Sequence, residues 1–236
     1  MSTRRAPADG TVVLTCGDTS PDPFPTTGVV RCAAIPTRAE VDPLLDAATR
    51  LVVAGSDAAL AAVVVRLLRR ERLDVAVGFV PADPSSEAAA VWGLPTDPAE
   101  ALDLARRGDP TPAPLIRDDR GGVVAGVHRV GAFSGVSYCD EHELVRGEAA
   151  GLAVRPDPSS GDRELGPGGG GLAATVIGRP RRFRRRDDRV TFGRAATVGI
   201  RPGTTATASR DGIEDTRPLE RRSWYRHTED WLLVRP

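Results

Sequence analysis

The sequence predicts two consecutive domains, an α/β domain built on a parallel sheet and an antiparallel β-sandwich domain. In the first half of the chain, apolar runs typical of buried strands alternate with segments of helical periodicity. After the proline-rich segment Asp109–Pro114, short runs of Val, Leu and Thr are separated by Gly, Pro and Asp, as between antiparallel strands. We therefore place the domains at residues 1–113 and 114–236.

The α/β prediction rests on individual elements. Strands are predicted at Thr11–Cys16, Val29–Ile35, Leu51–Ala54 and Asp74–Val80. Helices are predicted at Arg38–Arg50, Ala58–Leu73 and Pro98–Arg107. Ser56 or Asp57 can cap the second helix, and its arginines lie at the carboxyl end, where the helix dipole favours cations.

The second domain is predicted from shorter segments. Its strands are expected at Gly121–Val130, Gly151–Val154, Leu172–Ile177, Arg189–Phe192, Ala195–Ile200 and Trp231–Val234. The glycine-rich stretch within residues 157–171 predicts a mobile loop. Trp224, Tyr225, Trp231 and Leu232 are expected to cover the core of this domain.

Composition excludes several classes of protein. The chain has no Lys, Asn or Gln, so it has neither a phosphate-loop lysine nor a Schiff-base lysine. Thirty-two basic side chains balance 32 acidic ones, and this argues against a broad electrostatic attraction to nucleic acid. Three widely spaced cysteines, the absence of a secretory signal pattern and short apolar runs predict a cytoplasmic protein.

Several segments, in order, resemble the diacylglycerol kinases and their bacterial lipid kinase relatives. LVVAGSDAALAAVV, at residues 51–64, resembles the strand, Gly-Gly-Asp-Gly-Thr turn and helix of that family. FVPADPSSEAAAVWGLPTDPAEALDLARRG, at residues 79–108, resembles the strand ending in Pro-Leu-Gly-Thr-Gly-Asn-Asp and the helices after it. RDDRGGVVAGVHRVG resembles the first strand of the family's β-sandwich, and SRDGIEDTRPL resembles its Asp-Gly-Glu motif. The second of these segments and the absence of Asn favour lipid kinases over the related NAD kinases.

The resemblance implies an ATP- and Mg²⁺-dependent transfer of phosphate to a lipid or small hydroxylated substrate, in a cleft between the two domains. Asp57 and Asp211 would bind Mg²⁺ through the nucleotide, and Glu214, with Asp211 nearby, would act on the lipid hydroxyl as general base. The implied nucleotide-binding residues are Gly55, Ser56, Asp57, Ala58, Ala59, Pro81, Ser85, Ser86 and Glu87.

The motifs depart from the family pattern at several positions. Ser56 and Ala58 replace glycines whose missing Cβ atoms allow phosphates to approach the backbone. Asp83 and Pro84 add a negative charge and remove a backbone donor in the second motif. Glu214 comes one residue late, so on a regular strand it faces the opposite side unless a bulge forms at Gly212.

Purely structural interpretations remain open for the same residues. Ser56 and Asp57 can be an ordinary helix cap, and Asp211-Gly212 can be an ordinary hairpin turn. His128 is expected to be a hydrogen-bonded packing residue, and Cys139–Glu143 is expected to be an exposed acidic turn and not a metal site.

The arginine-rich segment Arg179–Arg189 has three interpretations. It can contact an anionic membrane surface, form a charged hairpin edge or, least in keeping with the sequence, bind nucleic acid. The sequence thus predicts a lipid kinase-type protein, with an inactive pseudokinase that binds a lipid or a partner as the alternative. A homodimer and a peripheral membrane location are compatible with both.

Overall fold

The structure is a computed structural model of the chain, and it describes residues 10–19, 28–159, 171–178 and 188–236. The chain divides into two compact units, one formed by Met1–Ala113 with Glu229–Pro236 and the other by Pro114–Thr228. The predicted loop of residues 157–171 and the cluster Arg179–Arg189 lie largely outside the described residues. None of the described helices is long and apolar enough to cross a bilayer.

The helices are α1 (Arg38–Val41), α2 (Asp57–Arg69), α3 (Glu87–Trp92) and α4 (Pro98–Arg107), with a short 3-10 helix at Asp42–Leu44. The strands are β1 (Thr11–Cys16), β2 (Val29–Cys32), β3 (Arg50–Gly55), β4 (Ala76–Pro81), β5 (Pro110–Ala113), β6 (Ile116–Asp118), β7 (His128–Val130), β8 (Phe133–Cys139), β9 (His142–Ala149), β10 (Gly151–Asp157), β11 (Gly171–Ile177), β12 (Arg189–Gly193), β13 (Ala195–Ile200), β14 (Ala208–Arg210), β15 (Ile213–Glu214), β16 (Arg221–Arg226) and β17 (Trp231–Val234).

The first unit is a six-stranded sheet in the order β2-β1-β3-β4-β17-β5. Every neighbouring pair in this sheet is parallel, except the pair of β17 and β5, which is antiparallel. After β1 the chain adds β2 on one side and then returns to place β3 on the other side. The order therefore reverses at β1, and such a switch point is where open α/β sheets hold ligands, at the carboxyl ends of the strands.

The second unit contains two sheets, β12-β11-β10-β7-β14-β15 and β6-β16-β13-β8-β9. Alternate residues of both sheets share one apolar core, including Leu152 and Val154 from the first and Val198 and Trp224 from the second. Two antiparallel sheets around a common core form a β-sandwich, so the predicted fold class, α/β followed by an antiparallel sandwich, is confirmed.

The last strand differs from the prediction. Trp231–Val234 was assigned to the β domain, but β17 lies between β4 and β5 in the first sheet. Trp231 packs edge-to-face on Trp92, with ring centroids 5.8 Å apart, so it covers the core of the first unit. The physical reason is that an apolar strand can complete either sheet, and local composition does not distinguish the two.

Three other elements also differ. The helix predicted at Arg38–Arg50 ends early, at Val41, and the chain continues as the 3-10 turn Asp42–Leu44. The reason is Pro43, which has no N–H to donate to a helical hydrogen bond. The run Gly121–Val130 forms a strand only at its end, in β7. The hairpin of β8 and β9 was missed, because the buried positions of β8 include Gly135, Ser137 and Cys139 and hide the alternation of apolar residues.

Candidate functional site

A cavity of about 410 Å³ lies at the carboxyl ends of β1, β3 and β4, at the switch point of the first sheet. This volume is within the range of small-molecule sites. The residues that line it are Cys16, Gly17, Asp18, Thr19, Ala34, Ser56, Val80, Pro81, Ala82 and Pro98. Of the predicted nucleotide-binding residues, Ser56 and Pro81 line the cavity, whereas the segment after β1 was not predicted to contribute. The signal available in the sequence was the strand TVVLTC followed directly by the polar turn Gly-Asp-Thr.

The lining offers no positive side chain, among the described residues, that could bind a phosphate. None of the described residues around the cavity is basic, and Asp18 is acidic. The Cys16 thiol is neutral, since burial, followed by the nearby Cys32 and Glu40, raises its pKa to about 12. An anionic ligand in this cavity would depend on backbone N–H groups and on the hydroxyls of Thr19 and Ser56.

Gly55 and Ser56 have structural roles at the edge of the cavity. The Ser56 hydroxyl accepts a hydrogen bond from the Ala59 N–H at 3.2 Å, so Ser56 is the N-cap of α2. A Cβ at Gly55 would lie 2.8 Å from the Cβ of Cys16, so the close approach of β1 and β3 requires glycine there. Ala58 and Ala59 are buried on the packed face of α2.

Asp57 binds the chain itself. One of its carboxylate oxygens accepts the Ser86 hydroxyl at 2.5 Å, and the other accepts the N–H groups of Glu87 at 2.9 Å and Ala88 at 3.1 Å. These donors form the first turn of α3, whose positive end is stabilised by the negative charge. The carboxylate that was predicted to join a metal-nucleotide network thus ties the start of α2 to the start of α3.

The loop after β4 is also closed on itself. The Asp83 carboxylate accepts the N–H of Ser85 at 2.8 Å and its hydroxyl at 2.7 Å, and this contact defines a local turn. Ser86 caps α3 by accepting the Ala89 N–H at 3.0 Å. The structure therefore joins Asp57, Ser86 and Glu87 by direct hydrogen bonds, and their role in nucleotide binding stays a prediction.

Asp211 and Gly212 form a two-residue hairpin turn between β14 and β15, with φ values of 47° and 87°. The Asp211 side chain is buried and accepts the N–H groups of Gly126 at 2.7 Å, Val127 at 3.0 Å and Ala125 at 3.3 Å. These contacts hold residues 125–127 against the hairpin. A structural role is therefore evident for Asp211, and its role in catalysis or Mg²⁺ binding stays a prediction.

His128 packs beside this turn, in agreement with the sequence-based expectation. Its Nδ1 accepts the indole N–H of Trp224 at 3.0 Å, so the proton of the neutral ring is on Nε2. Nε2 then faces the carbonyl of Val123 at 3.2 Å and a carboxylate oxygen of Asp211 at 3.4 Å. Every polar atom of this buried ring has a partner within the fold.

Glu214 lies on the short strand β15 and is exposed. Ser209 pairs with Glu214 and Arg210 with Ile213, a regular register without an extra residue at Gly212. The bulge that could have turned Glu214 onto the face of Ile213 is absent, so the two side chains lie on opposite faces. The role of Glu214 as a general base stays a prediction.

Sequence analysis missed the buried charge cluster around Arg222. This side chain is 1% exposed and contacts the carboxylate of Asp215 directly, with those of Asp118 at 3.6 Å and Asp119 at 4.0 Å. Burial raises the pKa of Asp215, but hydrogen bonding and attraction from Arg222 and Arg210 outweigh it and lower the pKa overall. In the sequence, Arg221-Arg222 is indistinguishable from an exposed arginine pair.

The described residues do not fit Mg²⁺ well. Within the described ranges, no three His, Cys, Asp or Glu side chains are arranged to hold a metal ion, and this includes the acidic turn Cys139–Glu143. Both carboxylate oxygens of Asp57 already accept hydrogen bonds from α3. Mg²⁺ usually binds one or two carboxylates together with nucleotide phosphates, so Asp57 would have to give up a hydrogen bond to α3 in order to bind it.

Comparisons with known proteins identify the fold. No protein-family model matches the chain, and no curated protein matches it. A diacylglycerol kinase structure from Bacillus anthracis str. Sterne matches with a TM-score of 0.68 and 11% identity, covering 97% of each chain. An NAD kinase from Archaeoglobus fulgidus, in complex with ATP, matches with a TM-score of 0.56 and 12% identity, covering 95% of this chain and 93% of its own. The chain therefore has the same two-domain fold as these diacylglycerol kinase and NAD kinase structures, as its motifs indicated.

Proposed function

We propose that this protein is a catalytically inactive pseudokinase of the diacylglycerol kinase fold, which binds a small or lipid ligand without transferring phosphate. The observation that carries the proposal is the Asp57 carboxylate, which accepts three hydrogen bonds from the beginning of α3. For Asp57 to join a metal-nucleotide network, these bonds would have to break. Breaking them would leave buried donors of α3 without partners, at a cost of about 1–3 kcal/mol each.

The cavity supports binding by its size and by a lining that is mostly uncharged, with Asp18 as its acidic residue. It is lined mostly by apolar and small residues, with Thr19 and Ser56 as hydroxyl groups and no basic residue among the described ones. Such a lining favours a neutral ligand with hydroxyl or carbonyl groups over a triphosphate. A lipid headgroup with hydroxyl groups, such as that of a diacylglycerol, has this chemistry.

An active lipid kinase is the second candidate. One observation favours it: the N-terminus of α2, a 13-residue helix capped by Ser56, lies at the cavity. In that case Gly55 to Ala59 and the loop from Pro81 to Glu87 would frame ATP, and Glu214 would be the base, in the predicted cleft between the units. The ATP in the Archaeoglobus fulgidus NAD kinase structure lends this candidate support by analogy of fold alone.

Titration with Mg·ATP separates the two candidates. For the pseudokinase we expect no rise in melting temperature at millimolar Mg·ATP and no transfer of labelled phosphate to diacylglycerol in mixed micelles. A ligand held only by the folded state stabilises it by about 2.7 kcal/mol at a hundredfold excess over Kd, which is easily measured. A clear shift together with phosphate transfer that Glu214→Gln abolishes would establish the kinase instead.

The binding activity has its own test. Micelles containing diacylglycerol should raise the melting temperature of the wild type, and Ala82→Trp, at the exposed wall of the cavity, should remove that rise. Ala47→Trp, at an exposed position of the same unit away from the cavity lining, is the matched control and should behave as the wild type. Equal responses of the two variants would show that the cavity does not hold the ligand.

A further inference from the structure

The outer face of the sheet β12-β11-β10-β7-β14-β15 carries apolar and basic side chains together. Core residues of this sheet alternate with residues that face away from the core, because successive side chains of a strand point to opposite sides. The residues of the outer face include Arg129, Ala153, Arg155, Asp157, Ala173, Thr175, Ile177, Val190, Phe192, Ser209 and Glu214.

Two large apolar side chains of this face are exposed to solvent. Val190 is 44% exposed and Phe192 is 56% exposed, and they lie two residues apart on the edge strand β12. Single exposed apolar residues are ordinary on protein surfaces, but two neighbours on one face of an edge strand form a patch. Transferring the exposed parts of these two side chains from water to an apolar medium is favourable.

The strand register places arginines in the same rows. Phe192 pairs with Ala173, which pairs with Arg155, and Val190 pairs with Thr175 in the row that continues through Ala153 to Arg129. Both arginines are exposed. Two acidic residues belong to this face: Glu214 lies at the far edge of the sheet from β12, and Asp157, on β10, is buried. Among the residues named for the half of the face nearest β12, the large exposed side chains are thus apolar or positive.

We propose that this outer face, with Val190, Phe192, Arg129 and Arg155, docks the protein on an anionic lipid bilayer. Val190 and Phe192 can enter the interfacial region while the guanidinium groups on the same face of the sheet contact lipid phosphates. Nucleic acid fits less well, since its backbone offers no apolar partner for an exposed Val and Phe. The docking surface is independent of the cavity and of phosphate transfer.

The sequence next to this face adds further positive charge. Residues 179–187, outside the described part of the chain, connect β11 to β12 and contain six arginines. The proposed surface does not include them, but the chain that carries them leaves and re-enters the sheet at the edge that contains Val190. Their charge would add to the attraction of an anionic surface in its neighbourhood.

Vesicle co-sedimentation of the full chain tests the proposal. We expect binding to vesicles containing phosphatidylglycerol, weaker binding to phosphatidylcholine alone, and loss of binding as salt rises. Phe192→Asp should reduce the partition coefficient roughly tenfold or more, and Arg155→Ala about fivefold. Ile35→Asp is the matched control, because Ile35 is also 44% exposed but belongs to the first unit, and it should bind as the wild type.

Two further measurements make the outcome decisive. Circular dichroism and melting temperature must show that the Phe192 and Ile35 variants are folded, and light scattering must give the oligomeric state of each. Equal vesicle binding by both variants, or no binding by the wild type, would overturn the proposal. A wild-type dimer that Phe192→Asp dissociates would also overturn it, since the face would then be an interface between two copies of this chain.

Discussion

Replacing Asp57 by alanine tests the contact on which the proposed function depends. The change removes a carboxylate that accepts the Ser86 hydroxyl and the N–H groups of Glu87 and Ala88. The hydroxyl can turn to another acceptor, but the two N–H groups are fixed in the first turn of α3. Losing a charged helix cap and two charge-assisted bonds should cost the first unit about 2–4 kcal/mol.

Thermal and urea unfolding measure this cost. A loss of this size should lower the melting temperature by roughly 6–16 °C for a unit of this length. Asp57→Asn keeps one acceptor oxygen, so its free energy of unfolding should fall by about half as much as that of Asp57→Ala. Asp83→Ala is the control, because it removes a carboxylate that bonds only the exposed Ser85, and it should cost less than about 1 kcal/mol.

A double-mutant cycle sharpens the result. Because Asp57 and Ser86 are hydrogen-bonded to each other and both cap α3, the costs of Asp57→Ala and Ser86→Ala should not add, with a coupling of about 0.5–3 kcal/mol. An Asp57→Ala protein as stable as the wild type would refute the reasoning. If that variant also lost an Mg·ATP response seen in the wild type, Asp57 would belong to a nucleotide site.

Three further predictions concern the cores of the two units. Arg222→Leu should destabilise the second unit by about 3–5 kcal/mol in urea unfolding, since it removes the buried cation beside Asp118 and leaves Asp215 with Arg210 alone; a change below about 1 kcal/mol would contradict this. Gly55→Ala should cost about 1–3 kcal/mol because its Cβ would overlap that of Cys16, and a neutral effect on the melting temperature would show that β1 and β3 can separate. Burial raises the pKa values of the three cysteine thiols to about 11–12, so their stabilising contribution is present below the unfolded-state pKa near 9 and is lost as pH rises through the folded values. A thiol reagent at pH 8 should therefore label the folded protein far more slowly than the urea-unfolded chain, and equally fast labelling would show that the thiols are accessible as thiolates.

The local patterns of the sequence were sufficient for the class of fold and for several caps and turns. Ser56 was expected to cap α2, and it does, because a cap depends on donors within three residues of it in the chain. Asp211-Gly212 is a hairpin turn for a similar reason, since positive φ angles favour these residue types. The change from helical periodicity to short β segments correctly indicated an α/β unit followed by a sandwich.

Contacts between distant residues could be decided only by the tertiary structure. Asp57 finds its donors 29 to 31 positions later in the chain, and Asp211 finds its donors about 85 positions earlier. The placement of β17 and the burial of Arg222 likewise depend on which strands and carboxylates the complete fold brings alongside them. Residue type and spacing indicate interactions between residues that are a few positions apart in the chain. Whether a carboxylate binds a metal, a phosphate or a helix end depends on which groups the three-dimensional packing places within about 3 Å of it.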